Sequence, residues 1–264
     1  MASRLVFSAR AHTYSLDGKR VPGVTTVINR ATDKPALVNA AAREAAIWGA
    51  ANVDALEMLG VDVWIKQAAA APRAVWNGKA QRGTLLHDAA RQLIRGEPLT
   101  PVDPSGKRWP DDVIRSAEWL ARFMDEWDAE PIVAETAVFH EAHLWAGTLD
   151  LIAQLRDGRT WLLDYKTGET GIYPKDAMQL AAYRHATHVV WEDPETGQRE
   201  DRPMFPVQEA ACVWVRPDGY ELRPVRADLV MYERFCHMLP VAEWTTWDRP
   251  ATVGEPVPVP EAAS

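Results

Sequence analysis

Gly147-Thr148-Leu149-Asp150-Leu151-Ile152-Ala153, then Arg156-Asp157-Gly158-Arg159, then Trp161-Leu162-Leu163-Asp164-Tyr165-Lys166-Thr167-Gly168 is the stretch that most restricts what this chain can fold into. Two apolar runs separated by Asp-Gly predict a β-hairpin, because that dipeptide favours the tight turns that match the twist of paired strands. Each run carries one aspartate among residues otherwise suited to a buried strand, and a buried charge persists only where something compensates it. Side chains alternate along a strand, so Asp164 and Lys166 face one way and Tyr165 the other. An ion pair between Lys166 and one aspartate is the simplest reading. It leaves the second carboxylate uncompensated, at a cost of several kcal/mol. A hard divalent cation between Asp150 and Asp164, at the open end of the hairpin, accounts for both.

At 264 residues the chain is long enough for a substantial core, and its 47% hydrophobic and 25% charged content is that of a globular protein. The first ten residues lack the apolar core of a secretory signal, and no apolar run approaches membrane-spanning length. The expectation is a cytoplasmic protein with no membrane partner. Two cysteines, Cys212 and Cys236, are too few for a disulfide framework, a four-thiolate zinc site or a four-cysteine iron–sulfur cluster. The net charge of −8 is unevenly spread: residues 1–110 carry 15 Lys and Arg against 9 Asp and Glu, and residues 111–264 carry 14 against 28. A basic first part permits a local phosphate-attracting surface on an acidic molecule. The sequence has neither a phosphate-cradling Gly-rich loop ending in Lys-Ser/Thr, so ATP use is not expected, nor a Gly-x-Ser-x-Gly elbow.

Along the chain, strands are predicted around Leu5–Phe7 and at Tyr14, with a turn at Asp17-Gly18, then a short helix through Asn29 capped by the hydroxyls of Thr25-Thr26. Residues 35–96 read as helix-rich, with Gly60 and Pro72 as breaks, and Arg43, Lys66, Arg73, Lys79 and Arg82 as candidate phosphate contacts. A helix over 83–94 gathers Leu85, Leu86, Ala89, Ala90, Leu93 and Ile94 on one arc, with His87 at its edge as either a satisfied core-edge residue or a ligand. A helix over about 112–128 packs through Trp119, Phe123 and Trp127, and a strand over 132–139 carries Glu135, which suits an exposed face or a site equally. After the hairpin, a helix over about 175–191 places Gln179, Tyr183, Ala186 and Val190 on one inward stripe, so the first two can reach the hairpin's open end. A loop over 192–206, strands over 210–215 and 220–225 and a helix over 227–239 complete the pattern. His140, Glu141 and His143 lack the spacing of a helical zinc motif, and strand residues three apart face opposite ways. The expected organisation is an N-terminal hairpin and helical part (1–110) carrying His87, a core (111–240), and a Pro-rich tail (241–264) without fixed structure.

Five elements stand in a fixed order: Gly83-Thr84-x-x-His87 on a helix, Glu135 in a strand, Gly147-x-x-Asp150, Asp164-Tyr165-Lys166-Thr167-Gly168, and Gln179-x-x-x-Tyr183 on the following helix. The set resembles the PD-(D/E)XK nuclease superfamily, and within it the RecB-like exonuclease branch, over about residues 80–225, with weaker similarity at Pro22-Gly23-Val24-Thr25-Thr26. The resemblance implies an α/β fold, a mixed central β-sheet flanked by helices, with the site where two core strands diverge. It implies metal ligation by His87, Asp150, Asp164 and the backbone carbonyl of Tyr165. Lys166 would position or help deprotonate the attacking water, Gln179 and Tyr183 would orient the site or touch DNA, and Glu135 would be auxiliary. Thr167 joins Arg73, Lys79 and Arg82 as a candidate DNA contact.

The implied cofactor is Mg²⁺ or Mn²⁺, with no ATP, and without the iron–sulfur cluster of the relatives in CRISPR adaptation. Phosphodiester hydrolysis needs an activated water and neutralisation of charge on the phosphate, and a cation held by two carboxylates supplies both. A histidine ligand leans the site toward Mn²⁺ tolerance. The implied substrate is DNA, as linear ends or single strands, cut by a stand-alone phage-type exonuclease of recombination, repair or phage replication in a bacterial or phage-infected cell. A structure-selective endonuclease and a catalytically idle DNA-binding or assembly protein on the same fold are the alternatives, and a homo-oligomer or a recombination partner protein is compatible with either.

Overall fold

A computed structural model describes residues 3–8, 13–94, 96–167, 171–193, 196–216, 218–244 and 254–256. The N-terminal strands β1 (Leu5–Ser8), β2 (Thr13–Leu16) and β3 (Lys19–Val21) form a small antiparallel sheet, with the expected turn at Asp17-Gly18. Four helices follow: α1 (Val24–Ala31), α2 (Pro35–Ala51), the single turn α3 (Leu56–Leu59) and α4 (Val61–Ile94). A fifth helix, α5 (Asp111–Glu126), leads into β4 (Glu130–His140), β5 (Trp145–Gln154) and β6 (Thr160–Lys166). The chain then runs through α6 (Pro174–Arg184), β7 (His188–Glu192), β8 (Arg199–Pro203), β9 (Glu209–Arg216), β10 (Gly219–Pro224) and α7 (Leu229–Trp244). The large sheet has seven strands in the order β10-β9-β6-β5-β4-β7-β8. Only β6 and β9 pair in parallel, so the sheet is mixed and flanked by helices, as expected.

Both faces of the sheet are covered, which is why β5 and β6 read as nearly continuous apolar runs. On one face Leu149, Ile152, Leu162 and Cys212 pack under α1, α6 and α7 through Val27, Ile28, Leu180, Ala181, Tyr183 and Phe235. On the other, Leu151, Ala153, Leu163, Tyr165 and Val213 pack under the C-terminal half of α4 and under α5, through Leu86, Ala89, Ala90, Leu120 and Phe123. The N-terminal sheet adds Leu5, Tyr14, Leu16 and Val21 against Ala137, Phe139, Ala146 and Val190. It is tied there by the Ala146 N–H, which donates to the Pro22 carbonyl at 3.1 Å. No helix of the described residues is long and apolar enough to cross a membrane.

Several local expectations are corrected. Gly23, not a threonine, occupies the N-cap of α1 and contributes no side-chain cap bond; Thr25 and Thr26 lie inside the first turn. Pro72 does not break the helix. A proline costs a helix about 3 kcal/mol, but Pro72 and Ala68 are buried and the turns on either side are rich in helix formers, so α4 continues through it. The predicted break at Gly60 is present, with φ of 76°. The helix expected to reach residue 191 ends at Arg184, because Val189 and Val190 are drawn into the sheet, where Val189 pairs with Val138. Ala186 and Val190 therefore share no helical stripe with Gln179. The stretch 192–206 contains β8 rather than loop alone. Residues 241–244 continue α7; of the remaining tail, only 254–256 lie within the described residues.

Gly147 is fixed by packing rather than by backbone conformation. A Cβ at this position would run into Tyr183 Cε1 and sit 3.1 Å from that residue's Cζ and hydroxyl. Since Tyr183 is buried and cannot swing aside, Gly147→Ala overpacks the core and is expected to destabilise the protein by about 1–3 kcal/mol, measured as a lowered urea midpoint with an unchanged slope. An unchanged midpoint would mean that α6 is free to shift away from β5.

Candidate active site

The hairpin's two strands separate at its aspartates. β5 and β6 are paired from Gln154↔Thr160 to Leu151↔Leu163 and no further. Asp150 and Asp164 are the next residues along. At that level the Asp150 carboxylate takes the place of a backbone acceptor: the Tyr165 N–H donates to Asp150 Oδ2 at 2.7 Å. Beyond it β6 stays with β9, where Asp164 pairs with Cys212 and Lys166 with Trp214, while β5 stays with β4 back to Trp145. The strands fork, and the fork is the site.

Glu135 lies across β4 from Asp150, between the registered pairs Ala134↔Leu151 and Thr136↔Leu149. Three acidic residues thus occupy one row across three neighbouring strands. Glu135 has φ of 48°, a left-handed backbone that costs a non-glycine residue on the order of 1–3 kcal/mol. Its side chain, 9% exposed, meets the His87 imidazole projecting from α4, with Nδ1 2.9 Å from Glu135 Oε1 and 3.6 Å from Asp150 Oδ1. Donor atoms of His87, Glu135 and Asp150 all lie within 4.8 Å of one another, the single such group of three among the described residues. Arg91, one turn on from His87, approaches Glu135 Oε2 at 3.8 Å.

The second half of the site lies on the α6 side. Lys166 Nζ is ion-paired with Asp164 Oδ2 and lies 3.8 Å from Asp176 Oδ1. Gln179 Nε2 donates to Asp164 Oδ1 at 3.1 Å and reaches the Tyr183 hydroxyl at 3.4 Å. The Cys212 thiol is 4.0 Å from Asp164 Oδ2. The hairpin's open end therefore collects Asp150, Asp164, Lys166, Gln179, Tyr183, Glu135 and His87. In this arrangement Asp164 is held by Lys166 and Gln179 rather than within the His87–Glu135–Asp150 group.

Asp176 escaped the sequence reading. Its carboxylate is buried, accepts the Tyr173 N–H at 2.8 Å at the start of α6, and stands beside Lys166. Tyr173-Pro174-Lys175-Asp176 does carry the local signal of a helix start, a proline in the first turn with an acidic residue at its third position. Nothing local signals that the same carboxylate faces Lys166. Among the other expected contacts, Thr167, Arg73 and Lys79 are exposed, and Arg82 is engaged by Asp112 at 2.6 Å, tying α4 to α5. Gly168 lies outside the described residues.

Burial sets the protonation of these groups. It raises Asp150, against the attraction of His87, and raises Asp164 to about 6, against the attraction of Lys166. Burial disfavours charge on His87, but Asp150 and Glu135 outweigh it and carry the imidazole up to about 9. Lys166 is raised too, since Asp164 and Asp150 overcome the desolvation of its ammonium. Four buried or nearly buried carboxylates thus face one lysine and one imidazolium, with Arg91 at the rim. The excess is negative, and the donors are hard oxygens with one imidazole, which fits a divalent cation such as Mg²⁺ or Mn²⁺.

His140 and His143 do come together, with rings stacked 4.3 Å apart, because β4 ends at His140 and the chain turns. The expectation that they face opposite ways is corrected, but they join no group of three metal donors among the described residues. Comparison with curated proteins finds no match to this chain. Among solved structures it is similar to one titled "Crystal structure of SSO0001", at 16% identity and a TM-score of 0.30; the likeness covers 52% of this chain and 60% of that one. The profile of the PD-(D/E)XK nuclease superfamily matches residues 66–235, a span holding every side chain of the fork, and the chain belongs to that superfamily.

Proposed function

We propose that this protein is a metal-dependent deoxyribonuclease of the RecB-like branch, a phage-type exonuclease that hydrolyses phosphodiester bonds from DNA ends in recombination, repair or replication. The observation that carries this reading is the row Glu135–Asp150–Asp164 at the fork, with His87 on one side and Lys166 on the other. His87, Asp150, Asp164 and the carbonyl of Tyr165 would hold the cation. When bound, the cation activates water and draws negative charge off the phosphate. Glu135 engages Nδ1 of His87 and so holds the imidazole beside Asp150. Lys166, kept protonated by its two carboxylates, brings a fixed positive charge to the phosphate oxygens. Gln179 holds Asp164 in orientation, and Tyr183 backs Gln179 from the core. The wider organisation follows from this: residues 1–110 carry His87 onto the 111–240 core, and the substrate is linear or single-stranded DNA.

Lys166→Ala is expected to abolish cleavage while an end-labelled DNA still binds, and Asp164→Asn to lose both cleavage and Mn²⁺ affinity by calorimetry. Undiminished cleavage by either purified variant would refute the assignment. Incubation in Mg²⁺ or Mn²⁺ with linear and closed circular DNA separates the modes: loss of linear DNA alone supports the exonuclease, and nicked circles support a structure-selective endonuclease.

The protonation of the site gives a pH test. In the metal-free protein both His87 (6.5 raised to about 9) and Asp164 (3.8 raised to about 6) have pKa values above their unfolded ones. Their contributions are complete below the unfolded values and are lost as pH rises through the folded ones. Melting temperature in chelator is therefore expected to fall from about pH 5 to about pH 9.5. The increase in melting temperature given by Mn²⁺ grows over the same interval, because ligands must shed protons to bind. A Mn²⁺ effect independent of pH would remove His87 from the ligand set.

A further inference from the structure

Beside the fork a cavity of about 360 Å³ opens between α1 and α6. Thr25, Ile28 and Asn29 form one wall, Tyr173, Lys175 and Gln179 the other, and Lys166 lies at the inner end. Its chemistry is not that of a core defect. Tyr173 is 44% exposed, and Lys175 places its ammonium 5.7 Å from the centre of that ring. Asn29 uses its carbonyl oxygen to accept from Lys34 at 2.9 Å, which leaves the amide N–H groups to donate. Asp176, which also lines the cavity, is buried, accepts the Tyr173 N–H and has Lys166 3.8 Å away, so the positive charge nearest the aromatic face is that of Lys175. The cavity therefore combines an aromatic face, a cation and hydrogen-bonding groups, and its volume falls near the lower end of small-ligand pockets, about 300–1,000 Å³.

We infer that this cavity is a nucleotide subsite: it receives one nucleotide of the DNA strand next to the phosphate at Lys166. Tyr173 stacks against the base, Lys175 pairs with that nucleotide's phosphate, and Thr25 and Asn29 hydrogen-bond to its sugar or base edge. Stacking on an aromatic side chain tolerates any base, because every base presents a π-face. A lysine contact carries no sequence information either. The subsite is thus built to grip a strand without reading it. Lys166 and Gln179 belong to both the cavity lining and the fork, so the subsite adjoins the scissile position. This inference rests on the nuclease reading and adds residues of α1 and α6 that the ordered motifs do not contain.

The test uses the full chain and a fluorescein-labelled single-stranded oligonucleotide, with binding read by anisotropy in chelator and cleavage read in Mg²⁺. Tyr173→Ala and Lys175→Gln are each expected to weaken binding roughly fivefold or more and to raise KM more than they lower kcat; Tyr173→Phe restores binding. A series of oligonucleotides with one abasic position is expected to show a single position at which wild type loses affinity and Tyr173→Ala does not. Wild-type cleavage, with binding and KM unchanged in Tyr173→Ala, Lys175→Gln and Asn29→Ala, overturns the subsite and leaves the nuclease reading standing. A wild type that neither binds nor cleaves DNA overturns both.

Discussion

The hydrogen bond from the Tyr165 N–H to the Asp150 carboxylate is the contact on which the architecture of the site turns. In an antiparallel ladder that N–H would be paired with a backbone carbonyl of the neighbouring strand. With a side chain accepting it, this buried donor is satisfied while the strands part. The separated strands lose nothing elsewhere, since β6 remains paired with β9 and β5 with β4. A gap can open inside a sheet, rather than at its edge, only under such conditions.

What lines the gap is electrostatically unsatisfied. Burial pushes the pKa values of Asp150 and Asp164 upward, while the same carboxylates hold His87 and Lys166 charged. Such a cluster would relax if its surroundings allowed. They do not. Leu149, Leu151, Ile152, Leu162 and Leu163, packed under helices on both faces, hold the two strands, and Tyr183 closing on Gly147 fixes α6 against β5. The apolar layers thus preserve an arrangement of charge that would not persist in a looser protein, as expected where local stability is given up for function.

The features legible in the sequence were those with a short-range cause. Asp-Gly marks the hairpin turn, strand alternation puts Asp164 and Lys166 on one side, and the i, i+4 spacing joins Gln179 to Tyr183. The features that were not legible depend on partners distant in the chain. Val189-Val190 continues a helical pattern until β4 offers a strand to pair with, and Pro72 looks like a break until its burial is known. Asp176 reads as a helix-start residue because the lysine it faces comes ten positions earlier in the chain. Glu135, equally suited to a surface or a site on sequence grounds, is settled inside the fork by the register of β4 with β5 and by the imidazole it meets.

A sheet ordinarily keeps its two faces apart, and here the groups of the site arrive from both. His87 stands on α4, whose neighbours Leu86, Ala89 and Ala90 pack on the face bearing Tyr165, and its ring lies 6.0 Å from the Tyr165 ring. Gln179 and Tyr183 stand on α6, which packs on the opposite face with Leu162 and Cys212. No continuous ladder would let an imidazole from one side and a carboxamide from the other approach the same pair of aspartates. The divergence of β5 from β6 removes that barrier from the level of the two aspartates onward, and Asp150, bonded to the Tyr165 backbone and 3.6 Å from His87, stands where it begins. α4, before the hairpin, covers one face and α6, after it, the other, and each delivers its polar side chain to the same gap.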